Sequence, residues 1–234
     1  MSSRFPLRRR LRMVSRQVGE EREPVLLIDG LLERPEALVE AAAAQDFAPA
    51  HGPAGGYPGL RAAAPLDYVE DAVRVLIGPI TEAFGLGRVQ PSRAECNFSL
   101  VTLPPDALVA SQRAPHIDTV DPWQFAVLHY LCPASLGGTA FFRHRATGFE
   151  TLSAERLPTY QSARDGEAEG PGYVDEGGRW FARTGEVEAA FDRVVIYRSR
   201  LLHSGRIVAP ERLSADPRTG RLTANIFLTL RPSG

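Results

Sequence analysis

The chain has 234 residues, 44% of them hydrophobic, with 27 basic and 28 acidic side chains and a formal net charge of −1. That length can bury a sizeable core in one domain, and the near-zero charge supplies no global field that would select nucleic acid or an anionic membrane. Two cysteines, Cys96 and Cys132, are too few for a disulfide framework or a four-cysteine zinc site and read as buried free thiols in a reducing compartment.

Every basic residue is an arginine, a compositional bias that carries no function. Residues 1–23 read as a flexible leader, basic through Arg4, Arg8, Arg9, Arg10, Arg12 and Arg16. No apolar run of signal-peptide length follows it, and no stretch is long enough to span a bilayer. The expected protein is soluble and cytoplasmic.

Pro24-Val25-Leu26-Leu27-Ile28 reads as a short strand ending at Asp29-Gly30. A helix is expected from Arg34 to about Gln45, because Pro35 suits a first turn and an alanine run follows. Residues 48–64 are rich in Gly and Pro and read as a loop that includes Tyr57-Pro58-Gly59-Leu60-Arg61. A second helix is expected over Leu66 to Phe84, with a break at Gly78-Pro79. Its apolar positions Val69, Ala72, Val73, Leu76 and Ile80 keep helical spacing.

From residue 93 the period changes to two. Strands are expected at Ala94–Thr102, Phe125–Leu131, Thr139–Phe142, around Phe181, at Val194–Tyr197 and at Leu222–Leu230. Two helices followed by a run of strands make an α+β, mainly β domain: a sandwich or open barrel with helices packed on one outer face. The helical flank is expected over residues 24–92 and the barrel over 93–234. Residues 153–178 are polar, Gly-rich and long for a structureless connection. They read as a lid or substrate-shaping insertion, with a short helix around Ala154–Ala163.

His116 and Asp118 are two residues apart, so in an extended segment both side chains leave one face. A second imidazole from His203 completes two histidines and a carboxylate, a set that holds divalent iron on one side and leaves the other open. Alone, the His-x-Asp pair reads first as a surface turn capped by the aspartate. The last strand adds weight through its parity. Leu222, Ala224, Ile226, Leu228 and Leu230 form a wholly apolar face, while Arg221, Thr223, Asn225, Phe227 and Thr229 form one suited to a polar cavity wall.

Together these segments resemble the iron(II)/2-oxoglutarate-dependent dioxygenases of the double-stranded β-helix (jelly-roll, cupin-like) fold, on the prolyl-hydroxylase-like branch. The match runs from about residue 25 to about residue 230. It rests on the leading strand Val25-Leu26-Leu27-Ile28, His116-Ile117-Asp118, Tyr130-Leu131, Gly137-Gly138-Thr139, His203 and Arg221–Phe227. Tyr57-Pro58-Gly59 and Phe141-Phe142-Arg143-His144-Arg145 further resemble a bacterial family of uncharacterised proteins within that superfamily.

The resemblance implies that His116, Asp118 and His203 ligate Fe(II) and that Arg221 pairs with the distal carboxylate of 2-oxoglutarate, helped by Thr223. With O2 the implied outcome is hydroxylation of an unactivated carbon with release of succinate and CO2. Related halogenating enzymes lack the carboxylate ligand, so Asp118 favours hydroxylation. Arg206, Arg212 and Arg218 lie in an apparent loop and compete less well for the cosubstrate than Arg221, which opens a strand.

His129 shares a strand face with Phe125, Val127 and Leu131 and reads as a packed core residue, and Asp121-Pro122 reads as a turn. Candidate substrate contacts are Arg61, Asn97, Arg113, Trp123, Tyr130 and His144; Trp123 and Tyr130 suit the core equally well, and His144 reads first as a rim or surface residue. The partner expected is a small-molecule or peptide substrate, amino-acid-derived by preference, without nucleic acid or membrane; a homodimer stays open. Two other readings compete: a non-oxidative, metal-dependent cupin enzyme, and a non-catalytic cupin-like module that binds a metal or a small molecule.

Overall fold

The computed structural model describes residues 3–53 and 55–233. The helices among them are α1 (Glu36–Ala43), α2 (Leu66–Phe84) and α3 (Leu157–Arg164). The strands are β1 (Arg12–Val18), β2 (Glu23–Asp29), β3 (Ala48–Gly52), β4 (Gly55–Ala63), β5 (Val89–Val101), β6 (Gln124–Tyr130), β7 (Gly138–His144), β8 (Phe181–Glu188), β9 (Arg193–Arg198), β10 (His203–Arg206) and β11 (Arg221–Pro232). An eight-stranded sheet runs β1-β2-β9-β6-β11-β5-β4-β3, and a three-stranded sheet runs β10-β7-β8. Every strand pair among the described residues is antiparallel.

Strand β11 shows why the layers form. Its even residues from Leu222 to Leu230 are at most 1% exposed and share a core with Val69, Leu76, Ile80 and Phe84 of α2. Its odd residues Arg221, Thr223, Asn225 and Phe227 line a cavity between the two sheets. Period two on the strand and period 3.6 on the helix thus meet in one apolar layer.

Helix α2 runs through Pro79 without the expected break. A proline inside a helix costs about 3 kcal/mol. Burying Ile80 and Phe84 beyond it returns about 1.5–3 kcal/mol each, which holds the last turn in place. Gly85, at φ 62, then closes the helix in the left-handed region.

From Phe5 to Val18 the expected flexible leader is packed and paired against the rest of the fold. β1 pairs with β2 in continuous register from Arg12↔Asp29 to Val18↔Glu23. Phe5 is 1% exposed and meets Tyr68 edge-on at 6.1 Å. The turn after β1 is anchored by the buried Glu150, whose carboxylate accepts the Glu20 and Glu21 N–H groups at 2.9 Å each. Composition hid this strand because most of its side chains are exposed and its stability comes from backbone bonds.

Residues 48–64, expected as a loop, form the hairpin β3–β4, with β4 added to β5. Gly59 permits that approach: a Cβ there would lie 1.9 Å from the Leu100 carbonyl oxygen. The expected helical flank therefore also supplies β2, β3 and β4 to the large sheet. In the insertion, α3 begins three residues later than expected and packs Leu157 and Tyr160 against Phe142, Leu152, Val174, Phe181 and Leu202 on the outer face of the small sheet. Cys132 is buried, Cys96 is half-buried, and both are free. Among the described residues no helix is long and apolar enough to cross a membrane.

His129 is a core residue, as expected, and is fully buried. Its Nδ1 pairs with the Tyr68 hydroxyl at 3.0 Å and its Nε2 with Asp192 Oδ1 at 3.0 Å, while Asp192 also accepts the Leu32 N–H. This chain of hydrogen bonds ties α2, β6 and the β8–β9 turn together. Asp192→Ala leaves His129 and the Leu32 N–H unpaired, at about 1–3 kcal/mol for each group. The urea midpoint is expected to fall accordingly, and Asp192→Asn, which keeps an acceptor, is expected to lose less.

Candidate metal centre

His116 lies outside any strand. It is held instead by a two-bond bridge to His203, each N–H donating to the other's carbonyl at 2.9 Å. Asp118 is pinned two residues on, its N–H donating to the Ser199 carbonyl at 2.8 Å. The ladder thus delivers the His-x-Asp pair to β10 by backbone bonds. The imidazole rings of His116 and His203 lie 4.5 Å apart, and His203 Nε2 is 3.8 Å from Asp118 Oδ2. One ligand atom from each of the three can be chosen so that all lie within 4.8 Å of one another.

That donor set fits a divalent ion bonded at about 2.0–2.2 Å to each ligand, on one face, as in the two-histidine-one-carboxylate arrangement. His203 Nδ1 donates to the Leu201 carbonyl at 2.8 Å, which frees Nε2 for the metal side.

Burial lowers His116 to about 4, and the neighbouring His203 adds to the effect; burial likewise lowers His203 to about 4. Both imidazoles are neutral through the mildly acidic range and offer lone pairs with no proton to displace. Divalent-metal affinity is therefore expected to stay nearly level down to about pH 5 and to fall toward pH 4, as read by competition with a chromophoric chelator.

Without metal, the unfolded chain takes up a proton on His203 below its ordinary value near 6.5, and the folded chain, which buries that ring, does not. Stability is thus expected to drop as pH falls from there toward 4. Burial raises the Asp118 carboxyl, which works in the opposite sense at the acid end of that window.

The cavity holding these ligands measures about 380 Å³ and is walled by both sheets. Arg221 opens β11 on its floor and is 3% exposed. Its Nη2 donates to the Gly138 carbonyl at 2.5 Å, and its guanidinium lies 5.9 Å from the Tyr130 ring centre. Its Nε is buried without a partner, and no carboxylate among the described residues pairs with it. The next cavity-facing groups on the strand, Thr223 Oγ1 and Asn225 Oδ1, are also buried and unpartnered. A buried cation beside unfilled polar atoms is costly unless an anion completes it.

The model for the family of unknown function DUF6445 matches residues 9–228. The chain belongs to that family. No curated protein matches the DUF6445 chain. Among solved structures it is similar to the non-heme alpha-ketoglutarate-dependent epimerase SnoN from nogalamycin biosynthesis. The identity is 17% over 92% of this chain and 83% of that one, with a TM-score of 0.51. It is similar too to HygX from Streptomyces hygroscopicus, solved with nickel, 2-oxoglutarate and hygromycin B, at 12% identity over 89% and 83% of the two chains and a TM-score of 0.51. At such identities the likeness establishes a shared fold.

In the DUF6445 chain the cavity gathers His116, Asp118, His203, Arg221, Thr223 and Arg61. The other candidate contacts lie elsewhere. Tyr130 is fully buried behind the wall, its hydroxyl 2.5 Å from Thr139 Oγ1. Asn97 sits opposite Asn225 in the β5–β11 register without lining the cavity. Arg113 borders the neighbouring pocket under residues 168–180 and donates to the Leu108 carbonyl. The Trp123 carbonyl accepts the Leu230 N–H beyond the far end of the cavity.

His144, a candidate contact or rim residue, is buried under α3, where Nε2 meets Glu167 at 3.1 Å and Nδ1 meets Thr147 at 2.9 Å. Its place on β7 points it to the outer face of the small sheet, away from the metal ligands. Sequence reasoning missed Tyr57, Tyr173 and Tyr197 as cavity residues. Tyr197 shares strand parity with the buried Val195, a readable signal; Tyr173 comes from the irregular insertion and had none.

Proposed function

We propose that this protein is an Fe(II)/2-oxoglutarate-dependent dioxygenase of the double-stranded β-helix fold, on the prolyl-hydroxylase-like branch, acting in the cytoplasm. The observation that carries the reading is Arg221, a buried guanidinium without a carboxylate partner among the described residues, facing the cavity of His116, Asp118 and His203. The likeness to SnoN and HygX supports it. SnoN has been solved with Fe3+ and alpha ketoglutarate bound, at a TM-score of 0.50, and HygX with nickel and 2-oxoglutarate.

In this reading His116, Asp118 and His203 would hold the iron through two neutral imidazoles and one carboxylate. The Arg221 fork would hold the far carboxylate of 2-oxoglutarate, and Thr223 would donate to the same group. The iron supplies activation of O2, coupled to oxidative loss of CO2 from the keto acid. The protein's part is to orient both molecules and exclude water. Tyr173 assists by closing the roof, its hydroxyl donating to the Leu103 carbonyl at 2.6 Å where the cavity meets the space under the insertion.

The balanced outcome is a substrate C–H, O2 and 2-oxoglutarate converted to C–OH, succinate and CO2. Because SnoN is an epimerase, the fold alone does not choose the outcome. Asp118, standing in the third ligand position, favours hydroxylation over halogenation. An amino-acid-derived metabolite or a peptide is the substrate class proposed.

The test is anaerobic reconstitution with Fe(II), followed by 2-oxoglutarate and air. Succinate formed in step with CO2 is the expected result. Wild-type protein that takes up neither metal nor 2-oxoglutarate overturns the reading.

A further inference from the structure

A second guanidinium in the same cavity has no direct ion pair among the described residues, although the Asp118 carboxylate lies near enough to feel its charge. Arg61, on β4, lines the metal cavity and also the groove that continues it, which holds about 350 Å³ and is bordered by Gln124, Thr229 and the paired Arg93 and Glu95. Arg61 Nε is buried without a hydrogen-bond partner, and no carboxylate among the described residues lies within ion-pair distance of it. Its guanidinium stacks on the Tyr57 ring at 4.7 Å, which fixes the plane of the fork.

The strand register separates the two arginines. Arg61 is opposite Ser99 on β5, and Ser99 is opposite Thr223 on β11. Arg61 therefore stands two strand spacings from Thr223, roughly 9–10 Å at the backbone. Arg221 lies a further two residues along β11.

2-Oxoglutarate has two carboxylates. With one end at the metal and the other on Arg221, it leaves nothing for Arg61. Asp118 borders both spaces beside Arg61, but it is a metal ligand in the reading above and is not ion-paired to that arginine.

We propose, resting on the oxygenase reading, that the molecule oxidised is a carboxylic acid and that Arg61 holds its carboxylate. A planar carboxylate matches the fork with two parallel bonds. A phosphate dianion fits worse, because the Asp118 carboxylate is close by. Leu128, Phe227 and the Tyr57 ring add apolar surface to the cavity that Arg61 lines, so the body of the acid is expected to be largely apolar. Anchoring at Arg61 sets the carbons nearest the carboxylate beside Asp118, and they are the ones expected to be oxidised.

The test uses protein loaded with Ni(II), which does not turn over, and 2-oxoglutarate. Ligand-observed NMR then measures the binding of hexanoate and 3-phenylpropanoate, their primary amides, and phenyl phosphate. Each acid is expected to bind at least about tenfold more tightly than its amide, the range of a hydrogen bond to a charged group. In Arg61→Gln that preference is expected to vanish while Ni(II) and 2-oxoglutarate are still taken up, and Arg61→Lys is expected to keep part of it.

Acids that bind no better than their amides overturn the proposal, as does a preference that survives in Arg61→Gln. Phenyl phosphate binding more tightly than either acid overturns the carboxylate assignment. Wild-type protein that takes up neither Ni(II) nor 2-oxoglutarate overturns the oxygenase reading itself.

Discussion

Alanine at Asp118 or at His203 is expected to abolish divalent-metal uptake and, with it, succinate formation. Among the described residues, one group of three is placed to hold the ion: His116, Asp118 and His203. Loss of an outer partner of a metal ligand costs about 10–100-fold in affinity, and loss of a ligand itself is expected to cost more.

Two features separate this from general damage. The Asp118 backbone is held by the Ser199 carbonyl and the His203 backbone by His116, so truncating either side chain leaves the bridge intact. Burial raises the Asp118 carboxyl, so removing it also takes away a charge that folding had to desolvate. Metal-free Asp118→Ala is therefore expected to unfold at urea concentrations no lower than the metal-free wild type, while anaerobic Fe(II) titration of either variant shows no saturable site. A variant that still binds Fe(II) stoichiometrically would remove that residue from the ligand set.

Arg221→Met is expected to act in opposite directions on the free and the loaded protein. Arg221 is 3% exposed and has no carboxylate partner among the described residues. Burying a charge without its partner is expensive, and replacing buried ionic groups by apolar side chains of similar volume is neutral or stabilising by about 1–4 kcal/mol. Methionine keeps most of the length and removes the charge. The free protein is expected to gain stability in that range, less the bond to the Gly138 carbonyl.

The same change is expected to weaken 2-oxoglutarate binding by about 2–5 kcal/mol, the cost of truncating one partner of a buried charge pair. Calorimetry of cosubstrate binding with Ni(II) present, together with urea unfolding of the free protein, checks both halves. A destabilised free variant would mean that the guanidinium is satisfied within the fold and is not waiting for an anion.

Most strands after residue 93 were legible because each has one buried face, whereas β10 (His203–Arg206) falls in a stretch expected as a loop. The expected span Leu222–Leu230 falls inside β11 (Arg221–Pro232), and Val194–Tyr197 falls inside β9 (Arg193–Arg198). Helix α2 was legible from Val69, Ala72, Val73, Leu76 and Ile80, all of which are buried. The expected break at Pro79 failed because a local penalty competes with burial on either side of it, and burial is a property of the assembled layers.

β1 and β4 escaped notice for a different reason. They are held by main-chain bonds to β2 and β5, and backbone bonds leave no trace in side-chain periodicity. The same limit displaced His144: alternation puts it on one face of β7, but only the packing of α3 decides that this is the face away from the metal.

His-x-Asp, the distant His203 and the strand-opening Arg221 are set by residue identity and spacing. By itself the sequence determined which side chains could make this site, because ligand chemistry and strand parity are local. Tertiary structure decided that they meet. The His116–His203 bridge joins segments far apart in the chain, and a contact of that kind depends on how the whole sheet closes. Tertiary structure also decided that Arg221 and Arg61 face one cavity without a direct ion pair among the described residues, since whether a charge is paired depends on every element packed around it.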